Sequence, residues 1–150
     1  MTHHQSEKIG VPQIIEEAMS WQGTPYKHQA SCKGAGCDCL GLIRGVYRCF
    51  WAEPELPPSY SPDWADAGGE ETFANAANRY LQPIEIEHLQ AGNVMLFRYR
   101  ANHPAKHAGI LINADRFLHA QHGSGVVLVS LNDWWRRHIA YAFSFPLSLR

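Results

Sequence analysis

Two things this sequence does without are a long apolar run and an excess of charge of either sign. A bilayer-spanning helix needs roughly 20 consecutive apolar residues, and no stretch here qualifies, so no membrane span is expected. Lys and Arg number 13 against 14 Asp and Glu, a formal net charge of -1. No local cluster of basic residues makes up for that balance, which excludes the electrostatic footprint of a nucleic-acid binder. The opening Met1-Thr2-His3-His4-Gln5-Ser6-Glu7-Lys8 lacks a cationic segment followed by an apolar one. It does not read as a Sec-type signal, and cytoplasmic synthesis as a soluble chain is the expectation. Cysteine is sparse, with four residues at 32, 37, 39 and 49. Without a secretion signal an even count is weak support for disulfides, and these are read as thiols. Internal repeats and low-complexity tracts are missing as well.

What is present suffices for one domain spanning residues 1-150. Hydrophobic residues make up 45% of the chain, enough to build a core without metal or disulfides. Nine histidines make the surface charge rise as pH falls.

Val11, Ile14, Ile15, Ala18 and Met19 recur at helical spacing behind Pro12, a first-turn proline, and predict a first helix that stops at Gly23-Thr24-Pro25-Tyr26. After a loop, Asp38 is a good N-cap for a second helix whose stripe is Leu42, Ile43, Val46, Tyr47 and Phe50. Residues 52-67 carry Pro54, Pro57, Pro58 and Pro62 and read as a long surface excursion, a rim or lid beside a cleft. A short helix is predicted over 70-80, then a connector over 83-92. From there the character changes: 94-99, 107-112, 117-121, 126-131 and 139-145 are short, β-branched or aromatic, and separated by turn residues. Helices first and strands afterwards predict an α+β fold with the second helix packed on a C-terminal antiparallel sheet.

The chemistry concentrates in Gly36-Cys37-Asp38-Cys39-Leu40-Gly41. A thiol at a helix start sits among free N-H groups whose partial charge favours thiolate, which marks Cys39 as a candidate nucleophile. Such a thiol needs a base and the base needs an orienting group. His107 and His119 lie on strand-like segments, and side chains on one face of adjacent antiparallel strands come within about 5 Å. Each residue also has a blander reading: Cys39 as an inert buried thiol, His119 as a half-buried core histidine, Tyr26 as packing and Asp38 as a cap. A thiolate-rich zinc site from Cys32, Cys37 and Cys39 with a histidine has poor ligand spacing, so no metal is expected. The pair Cys37 and Cys39 lacks the two-residue spacer usual in redox chemistry.

Taken together, these segments resemble the NlpC-type family of papain-like cysteine peptidases, which cut the stem peptides of bacterial peptidoglycan. The resemblance rests on motifs in order: Trp21-Gln22-Gly23-Thr24-Pro25-Tyr26, Asp38-Cys39-Leu40-Gly41-Leu42, Leu89-Gln90-Ala91-Gly92-Asn93-Val94, His107-Ala108-Gly109-Ile110 and His119-Ala120. It implies a papain-like fold with Cys39 as nucleophile, His107 as general base and acid, and His119 orienting His107. It implies substrate-subsite roles for Tyr26 and Asp38, oxyanion donors in the Cys39 backbone N-H and Tyr26, and no cofactor. The implied substrate is a peptidoglycan stem, cut between γ-linked D-glutamate and the diamino acid. Many members have serine where this chain has Leu40, which removes a polar substrate contact. The 32-42 stretch and the proline-rich insert look most like the branch found in phage tails and gene transfer agents. That implies tail-tip proteins as partners and action on the wall as part of a phage-like particle. The alternatives are a non-catalytic tail-tip or wall-binding module, and an acyltransferase or amidase on the same scaffold.

Overall fold

The computed structural model describes residues 9-52 and 71-147. Helix α1 (Val11–Met19) leads through a turn to a short hairpin of β1 (Ser31–Cys32) and β2 (Gly36–Cys37), and then to α2 (Cys39–Phe50). After the second described stretch begins come α3 (Thr72–Tyr80), β3 (Gln82–Ile84), a 3-10 turn at Ile86–His88, β4 (Val94–Phe97) and β5 (His107–Leu111). The chain ends with β6 (Arg116–Gln121), β7 (Gly125–Ser130), α4 (Asp133–Arg137) and β8 (Ile139–Ser144). The main sheet runs β3-β8-β4-β5-β6-β7, and every pairing in it is antiparallel. This is the mixed α+β architecture expected.

Helix α2 forms because Asp38 caps it and its apolar residues repeat at i, i+4. Leu42 and Val46 are fully buried, each contributing about 1.5–3 kcal/mol by removal from water. They share one cluster with Ile14, Ala18 and Trp21 from the α1 segment and with Ala108, Ile110, Leu118 and Ala120 from β5 and β6. Gly45 lets the Trp21 ring lie against α2, since a Cβ there would overlap that ring. The other sheet face holds Met95, Phe97, Leu111, Phe117 and Leu131, with Trp135 of α4 packed against them. The strand alternation on β5 and β6 thus divides two cores.

Four local features depart from the sequence reading. The loop before α2 contains the β1-β2 hairpin, whose strands of two residues each carry no periodicity. The connector over 83-92 includes β3, where Pro83 is tolerated because β3 is an edge strand. Strand β4 stops at Phe97, not Tyr99, where its register with β8 shifts. Helix α4 was not expected; its residues are too few for a periodic stripe. Its capping was legible, with Asn132 accepting from the Trp135 N-H at 3.0 Å and Arg136 and Arg137 in the last turn. The proline-rich excursion lies outside the described residues, apart from Ala52.

Candidate active site

The site is assembled where the start of α2 meets the start of β5. Asp38, 3% exposed, places the helix start. One carboxylate oxygen accepts the Gly41 N-H at 2.7 Å and the other accepts the Gln29 N-H at 2.8 Å. Gln29 is the one described non-glycine residue with positive φ, 65°, so the carboxylate holds a strained turn as well as a cap. Gly41 completes this packing, because a Cβ there would overlap the Ala30 carbonyl. The capping role foreseen for Asp38 is therefore present in the fold, with both oxygens engaged inside the chain.

Cys39 is the first residue of α2 and is half-buried. The N-H groups of Ala108 and Leu40 point at its sulfur and favour the thiolate. Burial and the neighbouring Asp38 carboxylate outweigh them and push the thiol well above its ordinary range. The N-H groups act in the direction expected of a helix start, and burial with the capping carboxylate acts against them. The dipole contributes, but the charge that caps the helix acts against it on the same residue.

His107 and His119 are brought together, with Nε2 of His107 2.7 Å from Nδ1 of His119. They project from the sheet face opposite α2, among Phe97, Phe117 and Trp135. The thiol lies at the end of β5 that carries His107: Ala108, whose N-H meets the sulfur, directly follows His107 in the chain. Nε2 of His107 faces His119, so Nδ1 is the ring nitrogen not engaged by that pair. Burial first, then the neighbouring His119, depresses His107 to about 3, and burial depresses His119 to about 4. Both rings are neutral at pH 7, and neither adds to the acid-sensitive surface charge. With Nε2-H of His107 donating to Nδ1 of His119, the His119 proton sits on Nε2, a buried atom with no hydrogen-bond partner. Aromatic rings surround it: Phe117 at 4.9 Å and Trp135 at 5.4 Å between centroids.

Tyr26 lies beside the thiol. Its backbone bridges to Cys37, its ring meets His122 edge-on at 5.2 Å, and its hydroxyl is pushed up to about 12 by burial, then by Cys39, Asp38 and Cys37. It is a proton donor throughout the neutral range. Residues that the sequence reading missed line the same place. Tyr99 stacks on His107 at 6.1 Å and has its hydroxyl raised by burial and by Cys39, so it faces both halves of the site. Trp135 packs on His107 and His119 at 5.9 and 5.4 Å. Neither had a sequence signal, because loop and short-helix aromatics have no period to place them. All four cysteines are free thiols, and among the described residues no group of three His, Cys, Asp or Glu is placed to hold a metal ion.

Known proteins resemble this chain in sequence and fold. Over 125 residues the chain is 28% identical to the Escherichia coli (strain K12) murein DD-endopeptidase MepS/murein LD-carboxypeptidase, covering 83% of this chain and 57% of that protein. It is 27% identical over 124 residues to the gamma-DL-glutamyl hydrolase of Bacillus subtilis (strain 168), covering 82% of this chain and 26% of the relative. The chain thus spans from about a quarter to just over half of these relatives. A crystal structure from Staphylococcus aureus subsp. aureus Mu50, described as similar to a lipoprotein of the NLP/P60 family, superposes with a TM-score of 0.63 at 24% identity, covering 96% of this chain and 45% of that one. The family model for NlpC/P60 matches residues 23–143, from the turn before Tyr26 to β8, and the chain belongs to the NlpC/P60 family.

Proposed function

We propose that this domain is a cysteine endopeptidase acting on peptidoglycan stem peptides through an acyl-enzyme on Cys39. The observation that carries this reading is the imidazole pair at 2.7 Å beside a helix-start thiol whose sulfur receives the N-H of the residue following His107. The named activities of the murein endopeptidase and gamma-DL-glutamyl hydrolase relatives support the substrate class. The bond we favour joins γ-linked D-glutamate to the diamino acid.

The chemistry begins from a neutral thiol and a neutral imidazole. As sulfur attacks the carbonyl carbon, its proton passes to Nδ1 of His107, so the two charges arise together and stabilise each other. His119 Nδ1 accepts from Nε2-H of His107 and supports the cation. The tetrahedral oxyanion is held by the Cys39 backbone N-H, one of the unpartnered donors of a helix start, and by the Tyr26 hydroxyl. His107 then returns its proton to the leaving amine. Water, activated by the same imidazole, hydrolyses the thioester and restores the thiol. Asp38 acts as the cap that aims the helix start and forms the floor of the subsite beside Tyr26.

The motif stretch over 32-42 supports placement in the phage-tail and gene-transfer-agent branch, with tail-tip proteins as partners and the wall as the place of action. A pull-down with candidate tail proteins that recovers none of them would remove this part. The activity is tested by mass spectrometry of solubilised peptidoglycan after incubation with wild type and with Cys39→Ala under reducing conditions. New fragments from wild type alone, with a loss of several orders of magnitude in the variant, are expected and would name the bond. A loss of only a few fold would refute the acyl-enzyme.

A further inference from the structure

We propose that the pocket lined by Tyr99, Arg100, His103, Pro104 and Lys106 is an anion subsite that holds a substrate carboxylate beside the scissile bond, a proposal resting on the peptidase reading above. The pocket encloses about 140 Å³, room for a carboxyl group and its carbon and far less than the few hundred Å³ that take a whole drug-sized ligand. It shares Tyr99 with the candidate catalytic centre, since that ring stacks on His107 and also lies under the Lys106 ammonium at 5.8 Å. A carboxylate seated there is one side chain away from the imidazole that moves the proton.

The loop carrying these groups is held in place before any ligand arrives. Arg98 donates from Nε to the His103 carbonyl at 2.7 Å and from Nη2 to Glu71 at 2.8 Å. The other Glu71 oxygen accepts the Ala105 N-H at 3.1 Å, and the Lys106 N-H reaches the Phe97 carbonyl at 3.0 Å. Glu71 is thus bound to Arg98 and Ala105, while the exposed Arg100 stands at the pocket wall. A guanidinium pairs with a carboxylate through two parallel N-H bonds, and the pair gains strength when a ligand covers it. Leu40, which follows the thiol in the chain, has no polar side-chain group to offer. The proposed scissile bond has two carboxylates nearby: the α-carboxylate of γ-linked D-glutamate and the C-terminal carboxylate of the diamino acid.

The test uses the tripeptide L-alanyl-γ-D-glutamyl-L-lysine in three forms: both carboxylates free, the D-glutamate α-carboxyl amidated, or the lysine carboxyl amidated. Binding to Cys39→Ala protein is measured by calorimetry, alongside the same protein carrying Arg100→Gln, Arg100→Lys, or Arg100→Gln with Lys106→Met. One amidation is expected to weaken binding about 10- to 100-fold, the span of a charge-assisted hydrogen bond, and identifies which carboxylate is held. Arg100→Gln should cause a similar loss for the free acid and none for that amide, while Arg100→Lys keeps part of the preference. In the enzyme with its thiol, the loss should fall on KM and leave kcat within a few fold. Equal binding of all three forms, wild-type-like binding by the double variant, or no measurable binding of the free acid would overturn the subsite. Carboxylate-dependent binding without hydrolysis by wild type would instead refute the peptidase reading and leave the subsite standing.

Discussion

Asp38 does two things that can be separated by changing its charge and keeping its shape. Its carboxylate caps α2 and holds the Gln29 turn, and the same charge raises the Cys39 thiol. Asp38→Asn retains an oxygen for the Gly41 N-H, and Asn caps helices as well as Asp. The amide nitrogen then faces the Gln29 N-H, two donors opposed, which costs about 1–3 kcal/mol for a buried unsatisfied group. For a chain of this size that lowers the melting temperature by roughly 2–12 °C. After burial, the Asp38 charge is the largest cause that raises the thiol, so removing it lowers the thiol pKa. The assay is the pH dependence of iodoacetamide alkylation of Cys39, followed by mass spectrometry of the modified peptide. The profile should move to lower pH in Asp38→Asn while the protein becomes less stable, two effects of opposite value for a nucleophile. An unshifted profile, or one moved to higher pH, in a folded variant would refute the electrostatic account of the thiol.

Three further outcomes follow from the same geometry. His119→Ala removes the 2.7 Å partner of His107 and should lower kcat by about 10- to 100-fold, the worth of one strong hydrogen bond. His107→Ala should cost far more, His119→Asn should recover part of the loss, and wild-type turnover in His119→Ala would remove it from the site. His107 and His119 are held near 3 and 4 in the fold against an ordinary 6.5, so the unfolded chain binds more protons between those values. Stability should be complete above pH 6.5 and fall by a few kcal/mol toward pH 3. Urea midpoints across this range should fall less steeply in His107→Gln/His119→Gln, and identical pH dependence would refute the assignment. Gly45→Ala places a methyl group into the Trp21 ring and should destabilise by about 1–3 kcal/mol through overpacking. Tryptophan fluorescence during urea unfolding checks this; an unchanged midpoint would contradict the close approach.

The sequence by itself determined the parts that depend on short-range pattern. The α2 stripe, its Asp38 cap and the strand character of β5 and β6 were legible because a helix imposes a fixed period on neighbouring residues and strands favour β-branched and aromatic side chains between turns, and the cap with its stripe puts Cys39 at a helix start. It also identified His107 and His119 as candidates for adjacent strands of one sheet. Tertiary structure decided what those residues experience. A capping charge and burial are properties of the surroundings, so the sign of the Cys39 shift was invisible in a motif that suggests only the dipole. Tyr99 and Trp135 come to the histidines from a loop and a short helix, where no period foretells direction. The histidines stand on the face opposite α2, and the thiol meets the Ala108 N-H at the end of β5, because which faces of a sheet are covered depends on elements distant in sequence that only the folded chain brings together.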